Sequence, residues 1–215
     1  MSMRQFLVPS MLCVLSLCVV LAVSAGDEIT LADTLAWIKR VDGELIKPRY
    51  ATLTLDQLQS VSELRLGGHR KSDKKHLYVP PMEFKHLLAL PGLKKLNLGE
   101  NDGVTDEALV HVGKLTGLTE LVLWDAPMTD AGVKHLVALK ELTDLDLAFA
   151  TKLTTNIVAD LALLPKLQRL NLAGTQVKDV SGLAKAPHLK ELKLGKLKPA
   201  GMDTLKKANP NLVVK

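Results

Sequence analysis

Aromatic side chains are scarce, with Phe, Trp and Tyr together making up 3% of the chain. Any interior must therefore be aliphatic. The stacked rings that often accompany nucleic-acid binding are missing too. Cysteine is scarcer: Cys13 and Cys18 both lie within the first 25 residues. The remainder has no thiol nucleophile, no disulfide and no cysteine metal site. Nor does the chain contain a glycine-rich phosphate loop, a nucleophile elbow or a zinc-protease motif; Gly67-Gly68 reads as a strand-end turn. The formal charge of +5 is carried by scattered lysines rather than a basic stripe, which argues against nucleic acid as a partner.

The first 25 residues differ from the rest. Arg4 precedes an apolar run from Met11 to Val23, broken only by Ser16. Val23-Ser24-Ala25 then offers small residues before Gly26, and the charges Asp27 and Glu28 follow. This is the pattern of a secretory signal peptide, and the run is short of the roughly 20 apolar residues that span a membrane. It predicts an exported protein, released, periplasmic or associated with the cell envelope. Removing residues 1–25 takes away only Arg4 among the charges and leaves +4.

What the chain has in abundance is leucine in fixed register. Leu-x-x-Leu-x-Leu occurs at Leu93-Leu96-Leu98, Leu118-Leu121-Leu123, Leu142-Leu145-Leu147, Leu167-Leu170-Leu172 and Leu189-Leu192-Leu194. Successive first leucines are 25, 24, 25 and 22 residues apart. A period in this range marks a stacked solenoid, which presents a long surface instead of enclosing a cleft. Each phrase predicts a short strand of a parallel sheet. A turn and an amphipathic helix follow, as in Val104-Thr105-Asp106-Glu107-Ala108-Leu109 and Met128-Thr129-Asp130-Ala131-Gly132-Val133. Here the threonine is expected to cap the helix, with the aspartate beside the positive end of its dipole. Ser62 to Leu66 reads as the first repeat strand, and Leu212-Val213-Val214 begins a further phrase.

Residues 26–60 read as an N-terminal cap covering the apolar end of the stack. Within it a helix is predicted over 29–42, with short strands at Glu44–Ile46 and Ala51–Leu55. The long first interval, from Val61 to Leu93, holds a polar insertion, Gly67 to Tyr78. It reads as a solvated loop, with His69, His76 and the lysines between them able to meet an anionic partner.

The strand phrase followed by Thr-Asp-x-x-Leu resembles the leucine-rich-repeat superfamily. It is similar to the variety with helical repeats of about 24–26 residues found in F-box adaptors and exported bacterial repeat proteins. The resemblance covers residues 61–215. It implies an α/β solenoid, a right-handed arc with parallel strands on the concave face and helices on the convex face. It also implies binding of other macromolecules, usually proteins, on that concave face. The asparagine that many members carry three residues after the last strand leucine is present here only as Asn101; its counterparts are Ala126, Ala150, Thr175 and Leu197. Nothing ahead of the repeats reads as an F-box.

Alternation along each strand places the residues between the leucines on the concave face. The candidate contact set is Lys95, Asn97, Glu120, Val122, Trp124, Asp144, Asp146, Arg169 and Asn171. Trp124, a large aromatic among charges, has the character of a binding hot spot; alternatively it folds over the strand edge onto Pro127 or Phe149. Strand spacing brings Glu120 and Asp144 to roughly 5 Å, but an open sheet supplies no pocket to raise one pKa, so they read as solvated charge. His86, His111 and His135 recur at steps of 25 and 24, either as a half-buried helix column or as a metal ladder, and no carboxylate accompanies them in register. The sequence thus points to an exported, non-catalytic protein-binding module without cofactor or metal. Carbohydrate or envelope binding, or a structural surface role, is the alternative.

Overall fold

The computed structural model describes residues 29–45 and 47–215. The signal-like segment and its cysteines lie outside the described residues. Among those described, no helix is long and apolar enough to cross a membrane.

Seven strands form one parallel sheet in which spatial order follows chain order: β1 (Glu63–Arg65), β2 (Lys95–Asn97), β3 (Glu120–Val122), β4 (Asp144–Asp146), β5 (Arg169–Asn171), β6 (Glu191–Lys193) and β7 (Val213–Val214). The central leucines pair in register: Leu64, Leu96, Leu121, Leu145, Leu170 and Leu192. Each of β1 to β6 is followed by a helical segment. These are the 3-10 helix Pro81–Ala89, α3 (Asp106–Val112), α4 (Asp130–Leu136), α5 (Ile157–Leu161), the 3-10 helix Ser181–Lys185 and α6 (Met202–Ala208). Helices need about 8–10 Å of lateral room and strands about 4.8 Å, so the stack curves with the strands on its inner side. All fifteen leucines of the five phrases are buried, none more than 4% exposed. They share the interior with Leu109, Val112, Val133, Leu136, Ile157 and Leu161 from the helices. At about 1.5–3 kcal/mol per buried aliphatic side chain, this is the main stabilising term.

The cap is built differently from its sequence expectation. Helix α1 (Leu31–Glu44) begins at a capping box in which Thr30 and Asp33 satisfy each other's backbone N–H. It lays Trp37, Ile38 and Val41 against the 3-10 helix Pro81–Ala89, and the Trp37 indole donates to Glu83 at 3.1 Å. The strand expected at Ala51–Leu55 is absent. Instead Thr54 and Gln57 form a second capping box, which starts α2 (Leu55–Gln59) and overrides the β propensity of the threonines. Near Glu44–Ile46, the pairing seen is a single bridge between Leu45 and Arg70. Buried Asp42 accepts hydrogen bonds from the backbone N–H of Arg49 and of Tyr50 (2.7 and 2.6 Å). That fixes Tyr50, whose hydroxyl accepts from the N–H of Arg65 at 2.8 Å. The outer edge of β1 is thereby occupied, which blunts a surface prone to pairing with other chains.

The Thr-Asp pairs act between repeats as well as at helix starts. Thr129 accepts from Ala131 N–H as a cap, but Thr105 makes no such bond. The Asp106 carboxylate instead accepts from the backbone N–H and hydroxyl of Thr129 in the next repeat (2.7 and 2.6 Å). Asp130 does the same for Thr154 (2.8 and 2.6 Å). Gly132 is required by this contact, since a Cβ there would come within 2.5 Å of an Asp106 oxygen.

Asn101 is fully buried and makes three hydrogen bonds. It accepts from the N–H of Val79 and Gly103 (3.2 and 3.0 Å) and donates to the carbonyl of Leu66 (3.0 Å). Where the asparagine is missing, Thr175 turns its hydroxyl onto Leu172 O at 2.7 Å. Replacing Asn101 with Ala strands two donors and an acceptor in the interior. Chemical denaturation should report a loss of at least about 2 kcal/mol.

Candidate functional site

The register of the sheet lines up the concave residues in rows. One row runs Glu63, Lys95, Glu120, Asp144, Arg169, Glu191. Its charges pair across neighbouring strands: Lys95 with Glu120 at 3.2 Å, and Arg169 with Asp144. Thr143 also donates its hydroxyl to Asp144 at 2.6 Å. Lys215 binds Glu191 at 3.0 Å, and this hydrogen bond is the leading reason the Glu191 carboxyl sits below its usual range. Each carboxylate of the Glu120/Asp144 pair therefore has a cation partner. A surface of mutually paired charge suits complementarity with another macromolecule better than proton transfer.

The second row runs Arg65, Asn97, Val122, Asp146, Asn171, Lys193. Three members of the predicted contact set are already engaged here. Asn97 accepts from Gly99 N–H (3.1 Å), Asp146 from Ala148 N–H (2.9 Å) and Asn171 from Ala173 N–H (3.1 Å). Each satisfies the backbone just where its strand ends, the self-capping habit of Asx side chains. Between them Val122 carries no acceptor. Glu120, Val122, Asp144, Asp146, Arg169 and Asn171, with Glu191 and Lys193, line an open depression of about 190 Å³.

Trp124 lies beside these rows, in the column occupied elsewhere by Gly99 and Ala148. It is half-buried. Its ring lies over the backbone of Gly99, where a Cβ would be 2.2 Å from the indole Cδ1 and Nε1. The contact that seats Trp124 is thus a glycine in the preceding repeat, a support not foreseen from the sequence.

Sequence reasoning also missed Phe149. Its ring is 55% exposed, and it lies over Gly174 of the following repeat. The backbone is left-handed there, with φ +59°. Glu100 and Asp125 hold the same position in earlier repeats with φ +56° and +54°, and Gly174 holds it in the next with φ +74°. The turn thus demands this conformation in successive repeats. A bulky aromatic adopts it at a cost of about 1–2 kcal/mol. The available signal was the glycine at the equivalent position in the next repeat.

The histidine column does not converge. His86 and His111 are half-buried and His135 is exposed. Burial holds the first two imidazoles below their ordinary pKa, and His86 stacks on Trp37 with ring centroids 5.3 Å apart. Among the described residues, the converging group of metal-type ligands is His69, His76 and Glu100, whose ligand atoms all lie within 4.8 Å of one another.

Because Asp146 and Asn171 each satisfy a backbone N–H, Asn171→Ala should lower stability by about 1 kcal/mol in denaturant titration. Arg169→Ala, which removes the exposed partner of the half-buried Asp144, should change stability by no more than about 1 kcal/mol.

No protein-family model and no curated protein matches the chain. Solved structures do. An internalin (inlF) from Listeria monocytogenes superposes with a TM-score of 0.51 at 19% identity, over 85% of this chain and 54% of that one. Internalin C2 (inlC2) from the same species gives 0.50 at 22% identity, over 84% of this chain and 80% of that one. The chain thus spans about half the length of the first of these structures. At such identities the likeness speaks to architecture alone, and the architecture agrees with the seven-stranded parallel sheet and its leucine interior. The chain has the fold of a leucine-rich-repeat solenoid, an α/β architecture.

Proposed function

We propose that this chain is an exported, non-catalytic protein-binding module that engages its partner on the concave face. The contact would centre on Trp124 and be flanked by Lys95, Glu120, Asp144 and Arg169. One observation carries the reading. A large amphipathic ring is seated on the bare backbone of Gly99, beside the carboxylates Glu120 and Asp144, each paired with a cation. Rigid aromatics seated in a fixed pose lose little entropy on binding, and tryptophan is enriched among the residues that dominate interface energy. Asn97, Asp146 and Asn171 hold the rim of this surface through the backbone and contribute shape. Export rests on the signal-like pattern of residues 1–25. The non-catalytic reading rests on the pairing of Glu120 and Asp144 with cations in an open depression.

Phe149 extends the surface. A bulky residue kept in a left-handed backbone with its ring more than half exposed is a local cost without a matching gain in burial. Such costs gather at functional positions.

Affinity capture from the cell envelope with the purified chain supplies the partner for two titrations. Trp124→Ala should weaken binding by more than about 1 kcal/mol, roughly fivefold, while the fold is retained. Gly99→Ala, which displaces the indole without removing it, should weaken binding in the same direction. Unchanged affinity in both variants removes Trp124 from the interface. Separately, Phe149→Gly should leave stability within about 1 kcal/mol of the parent or raise it, since glycine accepts the left-handed backbone freely. The same variant should reduce partner affinity. A large stability loss with unaltered binding would assign Phe149 to the fold instead. Binding to a glycan array with no captured protein would favour the carbohydrate or envelope alternative.

A further inference from the structure

The insertion Gly67 to Tyr78, expected to be a solvated loop, is a hydrogen-bonded hairpin. His69 and His76 face each other across an antiparallel bridge, and Arg70 N–H donates to Lys75 O at 2.8 Å. The returning limb then runs parallel to the turn after β2. Leu77 N–H donates to Glu100 O (3.1 Å), and Asp102 N–H donates to Leu77 O (2.8 Å). Leu77 is buried, so the hairpin is anchored in the core while its lysines remain at the exposed tip. This places two imidazoles over a turn whose side chains are acidic. His69 Nδ1 is 3.5 Å from Glu100 Oε1. His76 Nδ1 is 3.2 Å from Asp102 Oδ1, and its Nε2 is 3.6 Å from Asp125 Oδ2. The two rings meet edge to face with centroids 5.2 Å apart.

We propose that His69, His76 and Glu100 form a binding site for a divalent transition metal of the zinc type. Two imidazoles and one carboxylate are the ligand types such ions take. The ligand atoms already lie within 4.8 Å of one another, and about 3.3 Å would be needed around a tetrahedral ion with bonds of about 2.0–2.1 Å. Small rotations of partly exposed side chains close that gap without backbone movement. The surroundings supply the next requirement as well. A histidine that binds a metal through one nitrogen needs its other N–H held, commonly by a carboxylate. His76 has Asp102 beside one nitrogen and Asp125 beside the other, so a carboxylate stands ready whichever nitrogen takes the ion. The three ligands come from both limbs of the hairpin and from the repeat turn beneath. A bound ion would clip the insertion to the repeat that carries Gly99, the seat of Trp124. Of the two uses the histidines could have, capture of an anionic partner is disfavoured by the carboxylates of Glu100, Asp102 and Asp125 crowding them.

Zinc chloride titrated into the metal-free protein by calorimetry tests this, in a Cys13→Ser/Cys18→Ser background so that thiols supply no binding. One ion per chain is expected, with cobalt giving the visible absorption of a tetrahedral site. His69→Ala, His76→Ala and Glu100→Gln should each weaken binding by at least about tenfold; His188→Ala, on an exposed position elsewhere, should not. Zinc should also slow tryptic cleavage at Arg70, Lys71, Lys74 and Lys75. Circular dichroism without metal checks that each variant folds, with the milder His76→Gln replacing His76→Ala if it does not. Absence of saturable binding, or binding that survives loss of both His69 and His76, overturns the proposal. Either result is independent of whether a protein partner uses the concave face.

Discussion

A strand of three residues cannot hold itself, and neither can a helix of seven. No ordered element in the repeats is longer than nine residues, so what stabilises them is the interior shared between neighbours. The leucine triplets set that interior. Because they return at nearly equal intervals, each places its side chains against the same kind of wall, and Leu64 through Leu192 meet strand to strand without a slip. The concave face follows directly. Once alternate residues are committed inward, those between them are committed outward, and the rows of charge are fixed by the same register that builds the core.

Polar groups then tie the layers in places where leucine has no say. Asp106 reaches Thr129, Asp130 reaches Thr154, and Asn101 joins Leu66, Val79 and Gly103. Apart from the Asn101–Gly103 bond, these cross from one repeat to the next. They lock the rise of each turn relative to its neighbour, while the aliphatic contacts supply most of the free energy.

Periodicity made the solenoid, the strand positions and the concave set readable in advance, because it records which face each residue must take. Single-residue chemistry was read less well, for identifiable reasons. The Thr-Asp pair was assigned to its own helix because capping is a local rule, whereas the Asp106 carboxylate finds its donors one repeat away. The Thr54-x-x-Gln57 box is present in the sequence, but the strand expected for this segment overlooks it. The role of Asn97, Asp146 and Asn171 as backbone acceptors was implicit in their place at the strand ends, two residues before the N–H each one binds. The seat of Trp124 and the meeting of His69, His76 and Glu100 were not legible. They depend on how a turn and an inserted hairpin from different repeats come to face each other.

The hydroxyl of Tyr50 on the edge of β1 has a bearing on how such a chain is assembled. Strand order follows chain order, so each repeat docks only on the one made just before it. The segment carrying Tyr50 precedes β1 in the chain, so that edge of the sheet is met before the later repeats are added at the other. Construction can then proceed in one direction, each new layer finding one template and no competitor on the far side.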